Sequence, residues 1–238
     1  MSEHMALENL TVLDLTRVLA GPFCTMMLAD MGANVIKIEV PKGGDDTRSY
    51  PPFRAKNLNG ERESVYFANI NRNKKGITLN LKAPEGKEIF KELVKKADIV
   101  VENYRPGVMD KLGLGYDVLK EINPRIIYAA VSGFGCYGPY HLRPGYDILA
   151  QAMGGMMSIT GSKGGEPTRA GSALGDILGG LHVTIGILAA VNARTITGKG
   201  QRVDVSLMDS MIAATENTAL KYLCLLYTSD AADDLIGV

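Results

Sequence analysis

Two short aliphatic and β-branched runs, Thr11 to Leu15 and Val35 to Glu39, bracket a stretch in which Phe23, Met26, Met27 and Met31 recur at helical spacing. Gly21-Pro22 opens that helix and Gly32 is placed to end it, which makes a β-α-β unit of roughly 30 residues. Such a unit commits the chain to a parallel sheet, because parallel neighbours need a crossover and the crossover helix must cover a face. The alternation continues. Ile77 to Leu81 reads as a strand, and Pro84 opens a helix with Ile89, Phe90, Leu93 and Val94 on one stripe and Lys87, Lys91, Lys95 and Lys96 on the other. Ile99 to Val101, Ile126 to Val131 and Val203 to Leu207 read as strands, and Tyr116 to Ile122 as a helix. The expected fold class is α/β, an open Rossmann-like parallel sheet with flanking helices.

Pro41 to Asn73 has no sustained period and is longer than an ordinary connection, so it reads as a functional loop. Leu178 to Val191 reads as a buried helix, too short at that length to span a bilayer. A further helix starts at Met208.

Composition excludes several classes of function. Lys plus Arg and Asp plus Glu are both 26, so no basic surface for nucleic acid or an acidic membrane is indicated. The three cysteines, Cys24, Cys136 and Cys224, lack the spacing of a disulfide framework or a zinc site. Without a signal-like N-terminus, a soluble cytoplasmic protein is expected. The 27 glycines among 238 residues exceed the usual ~7% and indicate tight turns and close backbone approaches.

The last fifteen residues break this style. Cys224 to Asp233 is reproduced without mismatch by translating a sequencing-library transposase adapter, so residues 224–238 are read as non-native and residues 1–223 as one truncated domain. Without Asp230, Asp233 and Asp234 the balance is 26 basic to 23 acidic, a charge of +3 mildly suited to an anionic ligand.

Familiar catalytic patterns are scarce. Gly133 to Gly138 has the form G-x-G-x-x-G, but Pro139 and Pro144 interrupt any following helix, and no acid stands ~20 residues on, so it reads as a ligand-lining loop rather than a dinucleotide site. His4 lies in the terminus, His141 in a loop, and His182 on an apolar helix face as a core residue. No metal-spaced cluster appears. Asp176 is the most suggestive carboxylate: at the start of an apolar helix it is expected to be ionised by the unpaired N–H groups there, although a plain N-cap would look the same.

Seven ordered motifs add to this: Val18 to Cys24, Leu28 to Glu39, Val101 to Gly107, Ser132 to Gly135, Arg143 to Asp147, Gln151 to Gly155 and Leu174 to Asp176. Together they resemble the class III CoA-transferases, which include formyl-CoA transferase, carnitine CoA-transferase and α-methylacyl-CoA racemase. The resemblance implies that Asp176 accepts an acyl group from a CoA thioester and passes CoA to a carboxylic acid, with Tyr146 beside it. It further implies that Asn103, Tyr104, Lys111 and Leu112 contact CoA, with Arg48, Arg72 and Lys75 as weaker phosphate candidates. Leu19, Gly135 and Gly175 would line the substrate pocket, and Gly175 and Gly179 would leave room for the thioester. CoA and acyl-CoA enter as substrates, with no permanent cofactor, and the full-length product is expected to be an interlocked homodimer.

Two details sharpen the expectation. Racemases of this family carry histidine where this chain has Tyr146, and a phenol with pKa near ~10 suits α-proton exchange poorly. Leu19 replaces a glutamine of formyl-CoA transferase, which points to an acid larger or less polar than oxalate. The alternatives are an acyl-CoA racemase and a catalytically inert CoA-binding fragment. A cleft shared by Asp176, Tyr146 and the 133–138 loop at the carboxyl ends of strands separates catalysis from simple capping.

Overall fold

The structure is a computed structural model that describes residues 4–54 and 62–225. In chain order it contains β1 (Thr11–Asp14), α1 (Ala20–Asp30), β2 (Asn34–Glu39), β3 (Phe53–Arg54), β4 (Glu63–Ser64), α2 (Val65–Ile70), β5 (Lys75–Thr78) and α3 (Pro84–Val94). There follow β6 (Ile99–Glu102), α4 (Val108–Leu112), α5 (Tyr116–Ile122), β7 (Ile127–Ser132), α6 (Asp147–Met153), α7 (Leu174–Thr197), β8 (Arg202–Ser206), α8 (Leu207–Ala214) and α9 (Asn217–Leu225).

Six strands form one parallel sheet in the order β5-β2-β1-β6-β7-β8. Successive side chains on each strand leave by opposite faces, and on the central strands β1, β6 and β7 most are apolar and buried, so the middle of the sheet is covered on both sides. Val12, Val35, Ile99, Val101, Ile127, Ala129 and Val131 meet α1, α7 and α8 on one side. Leu13, Ile38, Val100, Tyr128 and Ala130 meet α3 and α5 on the other. The chain winds outward from β1 in one direction and from β6 in the other. A crevice therefore opens between the loops at their carboxyl ends, the place where open α/β sheets bind ligands.

The α/β reading and the order of elements hold. Most boundaries differ by a residue or so, and one strand moved further for a physical reason: the strand expected over Ile77 to Leu81 runs Lys75–Thr78, because β5 is an exposed edge whose register comes from bonding to β2 rather than from burial. The stretch from 41 to 73 is more ordered than expected, holding a turn of 3₁₀ helix at Asp46–Ser49, the β3–β4 pair and α2. The reading of α7 as buried needs correction. It has 24 residues, packs Val183, Thr184, Ile187 and Ala190 inward, and leaves Ile185 62% exposed. By length and composition it is apolar enough to cross a membrane. In this fold its inner face lies on α1, β7 and β8, and Arg194 near its end pairs with Asp98 at 3.0 Å. His182 is exposed, not a core residue. Of the tail read as non-native, residues 226–238 lie outside the described residues.

Candidate functional site

A cavity of about 450 Å³ sits at the carboxyl end of the sheet. The loop after β1 contributes Arg17, Val18 and Leu19, the loop after β6 contributes Asn103, Tyr104 and Arg105, and Ser132 and Gly133 end β7. Arg143 and Tyr146 close one side, and Asp176 comes from the first turn of α7.

The walls are held by polar contacts that pattern reading could not foresee. Lys37 is buried in β2, where its ammonium donates to Thr16 O at 2.8 Å and pairs with Asp45 at 2.9 Å. Asp45 in turn accepts from Val18 N–H at 3.2 Å. Val18 has φ of 69°, a strained conformation for a β-branched residue that persists because its surroundings fix it. Asp14 and Lys74 form a second buried pair at 3.0 Å. Burial alone would raise the Asp14 pKa, but Lys74, Lys37 and the hydroxyls of Thr16 and Thr25 reverse this and hold it below the carboxylate norm.

Glycines act here through close approach. A Cβ on Gly133 would lie 2.3 Å from Gly145 Cα, so the β7 loop and the Tyr146 loop touch backbone to backbone. Gly175 and Gly179, expected to leave space for a thioester, instead serve packing. A Cβ on Gly179 would meet Leu207 Cδ2 at 2.4 Å, and one on Gly175 would meet Ala150 and Asp147.

Asp176 departs from expectation in two ways. It is the third residue of α7, whose N-cap is Ala173, so it does not cap the helix with its side chain. Its pKa is pushed up to about 7, first by burial, then by the nearby Asp147 carboxylate, with Arg169 opposing. Tyr146 is 68% exposed on the same cavity.

The other candidates divide by position. Leu19, Asn103 and Tyr104 line the cavity, and burial raises the Tyr104 phenol to about 12. Asn103 spends its amide on the Arg17 backbone. Tyr104, Arg17 and Asp46 also border a second recess of about 400 Å³ over the ends of β1 and β2. Lys111 and Leu112 lie on α4 away from both: Lys111 is exposed and Leu112 packs under the sheet. Arg48 pairs with Glu39 at 2.6 Å and stacks on Phe67, Arg72 pairs with Asp30, and Lys75 donates to Asn34 at 2.7 Å, none of them on the cavity wall. Gly135 borders a separate recess with Tyr137 and Asp204.

Sequence reasoning missed Arg17, Arg105, Arg143, Ser132 and Asp147. Arg105 and Arg143 give the cavity a cationic side, while Arg17 is paired with Asp46 on the same wall. Ser132 Oγ is buried with no hydrogen-bond partner among the described residues. Arg105, Ser132, Arg143 and Asp147 all lay inside the quoted motifs, which was the available signal. Glu102, at the end of β6, accepts from Tyr104 N–H at 2.7 Å and from the Tyr128 hydroxyl at 3.1 Å, and burial pushes its pKa up to about 7.

Known proteins are similar to this chain over most of its length. The model of CoA-transferase family III matches residues 7–234. Succinyl-CoA:mesaconate CoA-transferase of Haloarcula marismortui is 48% identical over 92% of this chain and 56% of its own length. Succinyl-CoA:glutarate CoA-transferase of Homo sapiens is 46% identical over 94% of this chain and 50% of its own. A crystal structure of a CAIB/BAIF family protein from Brucella suis superposes with a TM-score of 0.91 at 44% identity, covering 96% of this chain and 60% of that one. The chain spans about half the length of the curated relatives it matches. With nearly half of its residues shared across almost its full span, and with a family match from residue 7 to 234, this chain belongs to CoA-transferase family III.

Proposed function

We propose that the full-length product moves CoA from an acyl-CoA donor to a carboxylic acid acceptor, with Asp176 as the covalent nucleophile. One observation carries the reading: the Asp176 carboxylate faces a cavity at the carboxyl ends of β1, β6 and β7, shared with Tyr146 and ringed by arginines. The names of the relatives support the substrate classes, an acyl-CoA and an organic acid.

In the proposed course an Asp176 oxygen attacks the thioester carbonyl carbon. A C–O bond forms, the C–S bond breaks, and CoA leaves as thiolate from a mixed anhydride. The thiolate attacks the aspartyl carbonyl, which releases the donor acid as carboxylate and leaves an aspartyl-CoA thioester. The acceptor carboxylate then attacks this thioester, giving a second anhydride and thiolate. Thiolate attack on the acceptor acyl carbon forms the new acyl-CoA and returns Asp176 as carboxylate, with no net proton change. A carboxylate drawn out of water is a better nucleophile than a hydrated one, which gives the raised pKa a role. Arg17, Arg105 and Arg143 would draw in anionic acids and the phosphates of CoA. Tyr104, between the two recesses, would separate the acyl end of CoA from its nucleotide end.

Incubation with acyl-CoA and hydroxylamine, followed by peptide mass spectrometry, tests this. A hydroxamate on Asp176 is the expected result; its absence, with acyl exchange still measurable, overturns the reading. We extend the proposal to a cytoplasmic, interlocked homodimer for the full-length product. The apolar residues left open on α7, Ile185 and Ile196, support a further covering surface.

A further inference from the structure

Asp147, the first residue of α6, is buried and its carboxylate is fully engaged. Oδ1 accepts from Gly175 N–H at 2.8 Å, while Oδ2 accepts from Gln151 Nε2 at 2.9 Å and from the Arg169 guanidinium at 3.1 Å. Gln151, wholly buried one turn on, extends the grip by accepting from Ala170 N–H at 2.9 Å and donating to Ser172 O at 3.3 Å. Two side chains of α6 thus hold four points on the segment leading into α7. That segment has no helix or strand between Thr160 and Ala173, so these bonds do what backbone ladders do elsewhere. Asp147 directly follows Tyr146, and Gly175 directly precedes Asp176. A single hydrogen bond therefore links the chain neighbours of both cavity residues.

We propose that Asp147 is a positioning residue for Asp176 and that, with Arg169 as its counter-charge, it sets both the place and the charge state of that carboxylate. The two charges do not cancel at Asp176. Asp147 is buried, so its field reaches Asp176 unscreened and opposes ionisation. The Arg169 side chain is 44% exposed, and water weakens its opposite effect. Other groups facing Asp176 are Tyr66 of α2, whose phenol is raised to about 12 by burial and then by Asp176. Across the cavity lie Arg17, Asp46, Tyr104, Arg105, Arg143 and Tyr146, the arginines at the rim where solvent reaches them. Of the charges that act on Asp176, Asp147 has the larger effect and Arg169 the smaller, opposing one, so removal of the Asp147 charge should move Asp176 most. The catalytic consequence rests on the reading of Asp176 as nucleophile, but the coupling itself does not.

The test is a carbon-13 NMR titration of the Asp176 carboxyl in substrate-free protein, its signal assigned by loss in Asp176→Asn. Asp147→Asn keeps an acceptor for Gly175 N–H but removes the charge, and the midpoint should fall by roughly one pH unit. Arg169→Gln, at a half-exposed site, should raise the midpoint, and Arg169→Lys should restore it toward the parent. A midpoint that stays put in Arg169→Gln, or that rises in Asp147→Asn, overturns the proposal. If Asp147→Asn does not fold, the arginine variants decide. Midpoints that move as stated while hydroxylamine traps no adduct would leave the coupling intact and remove the transferase role of Asp176.

Discussion

Asn103 and Arg17 are joined by a reciprocal pair of hydrogen bonds: Asn103 Oδ1 accepts from Arg17 N–H at 2.9 Å and Asn103 Nδ2 donates to Arg17 O at 2.7 Å. The pair ties the loop after β1 to the loop after β6, the two walls of the switch-point crevice. Asn103→Ala frees both walls. Because water reaches these groups, the stability loss should be only about 1 kcal/mol. The larger effect should be a rise in KM for acyl-CoA of roughly tenfold, with kcat changed less, measured by steady-state exchange. An unchanged KM would show that the walls hold without this pair.

Asp176→Asn should reduce acyl exchange by roughly three orders of magnitude or more and at the same time stabilise the fold above pH 7. Burial and Asp147 push the folded pKa up to about 7 from the usual 3.8. The stability contributed by this group is present below the lower value and is lost as pH rises through the higher one. Asparagine escapes that loss. Urea unfolding at pH 8 should favour the variant by on the order of 1 kcal/mol after allowance for solvent screening, and the gap should close near pH 4.

Much of the fold is written in strand alternation. Leu13 and Val100 enter one core while Val12 and Ile99 enter the other, a period of two that can be read without a structure. The site was readable only as far as its motifs, which brought Asp176, Tyr146 and Leu19 to one cavity. What escaped were contacts made at long range. Lys37 breaks an apolar strand, and no local pattern says that Asp45 waits for it. Gly179 looked like room for a ligand because its neighbour Leu207 lies far along the chain. Asp176 looked ionised because its helix is local and Asp147, 29 positions earlier, is not.

Glu102→Gln should leave the fold near its parent stability at pH 5 and more stable at pH 8. Burial raises the Glu102 pKa to about 7 from 4.5, so its contribution falls as pH rises between those values. The amide oxygen can still accept from Tyr104 N–H, and the Tyr128 hydroxyl can turn to accept from the new NH2. Glu102→Ala removes both acceptors and should cost about 1–3 kcal/mol at either pH. Thermal melts of the two variants at both pH values check this.

Gly145→Ala should damage the site without touching a catalytic group. Its added Cβ would come within 2.3 Å of Gly133 Cα, and both partners are backbone, so neither can swing aside. The loop carrying Tyr146 must then move away from the end of β7. Overpacking of this kind costs about 1–3 kcal/mol. Exchange activity should drop at least roughly tenfold, since displacements near one ångström already cost more than that. A crystal structure of the variant with Tyr146 in its parent position would contradict the expectation.

Lys37→Met leaves Asp45 buried without its ammonium partner, and breaking a buried pair from one side typically costs about 3–5 kcal/mol. For Asp45, burial raises the pKa, but the attraction of Lys37, its hydrogen bond and the Thr47 donors outweigh this and hold it below the usual 3.8. A depressed acid contributes stability that is present above the unfolded pKa and lost as pH falls through the folded one. The penalty of Lys37→Met should therefore be largest near neutral pH and shrink as the solution is acidified, because Asp45, buried without its ammonium, takes up a proton more readily in the variant. Adding Asp45→Leu should recover part of the stability, as apolar replacements of buried ion pairs do. It should not recover activity, because Val18 N–H then loses the acceptor that holds its strained turn on the cavity wall. Urea unfolding of the single and double variants at pH 7 and pH 4, with exchange assays at pH 7, separates the two roles of the pair. Full activity in the double variant would show that Val18 keeps its conformation without Asp45.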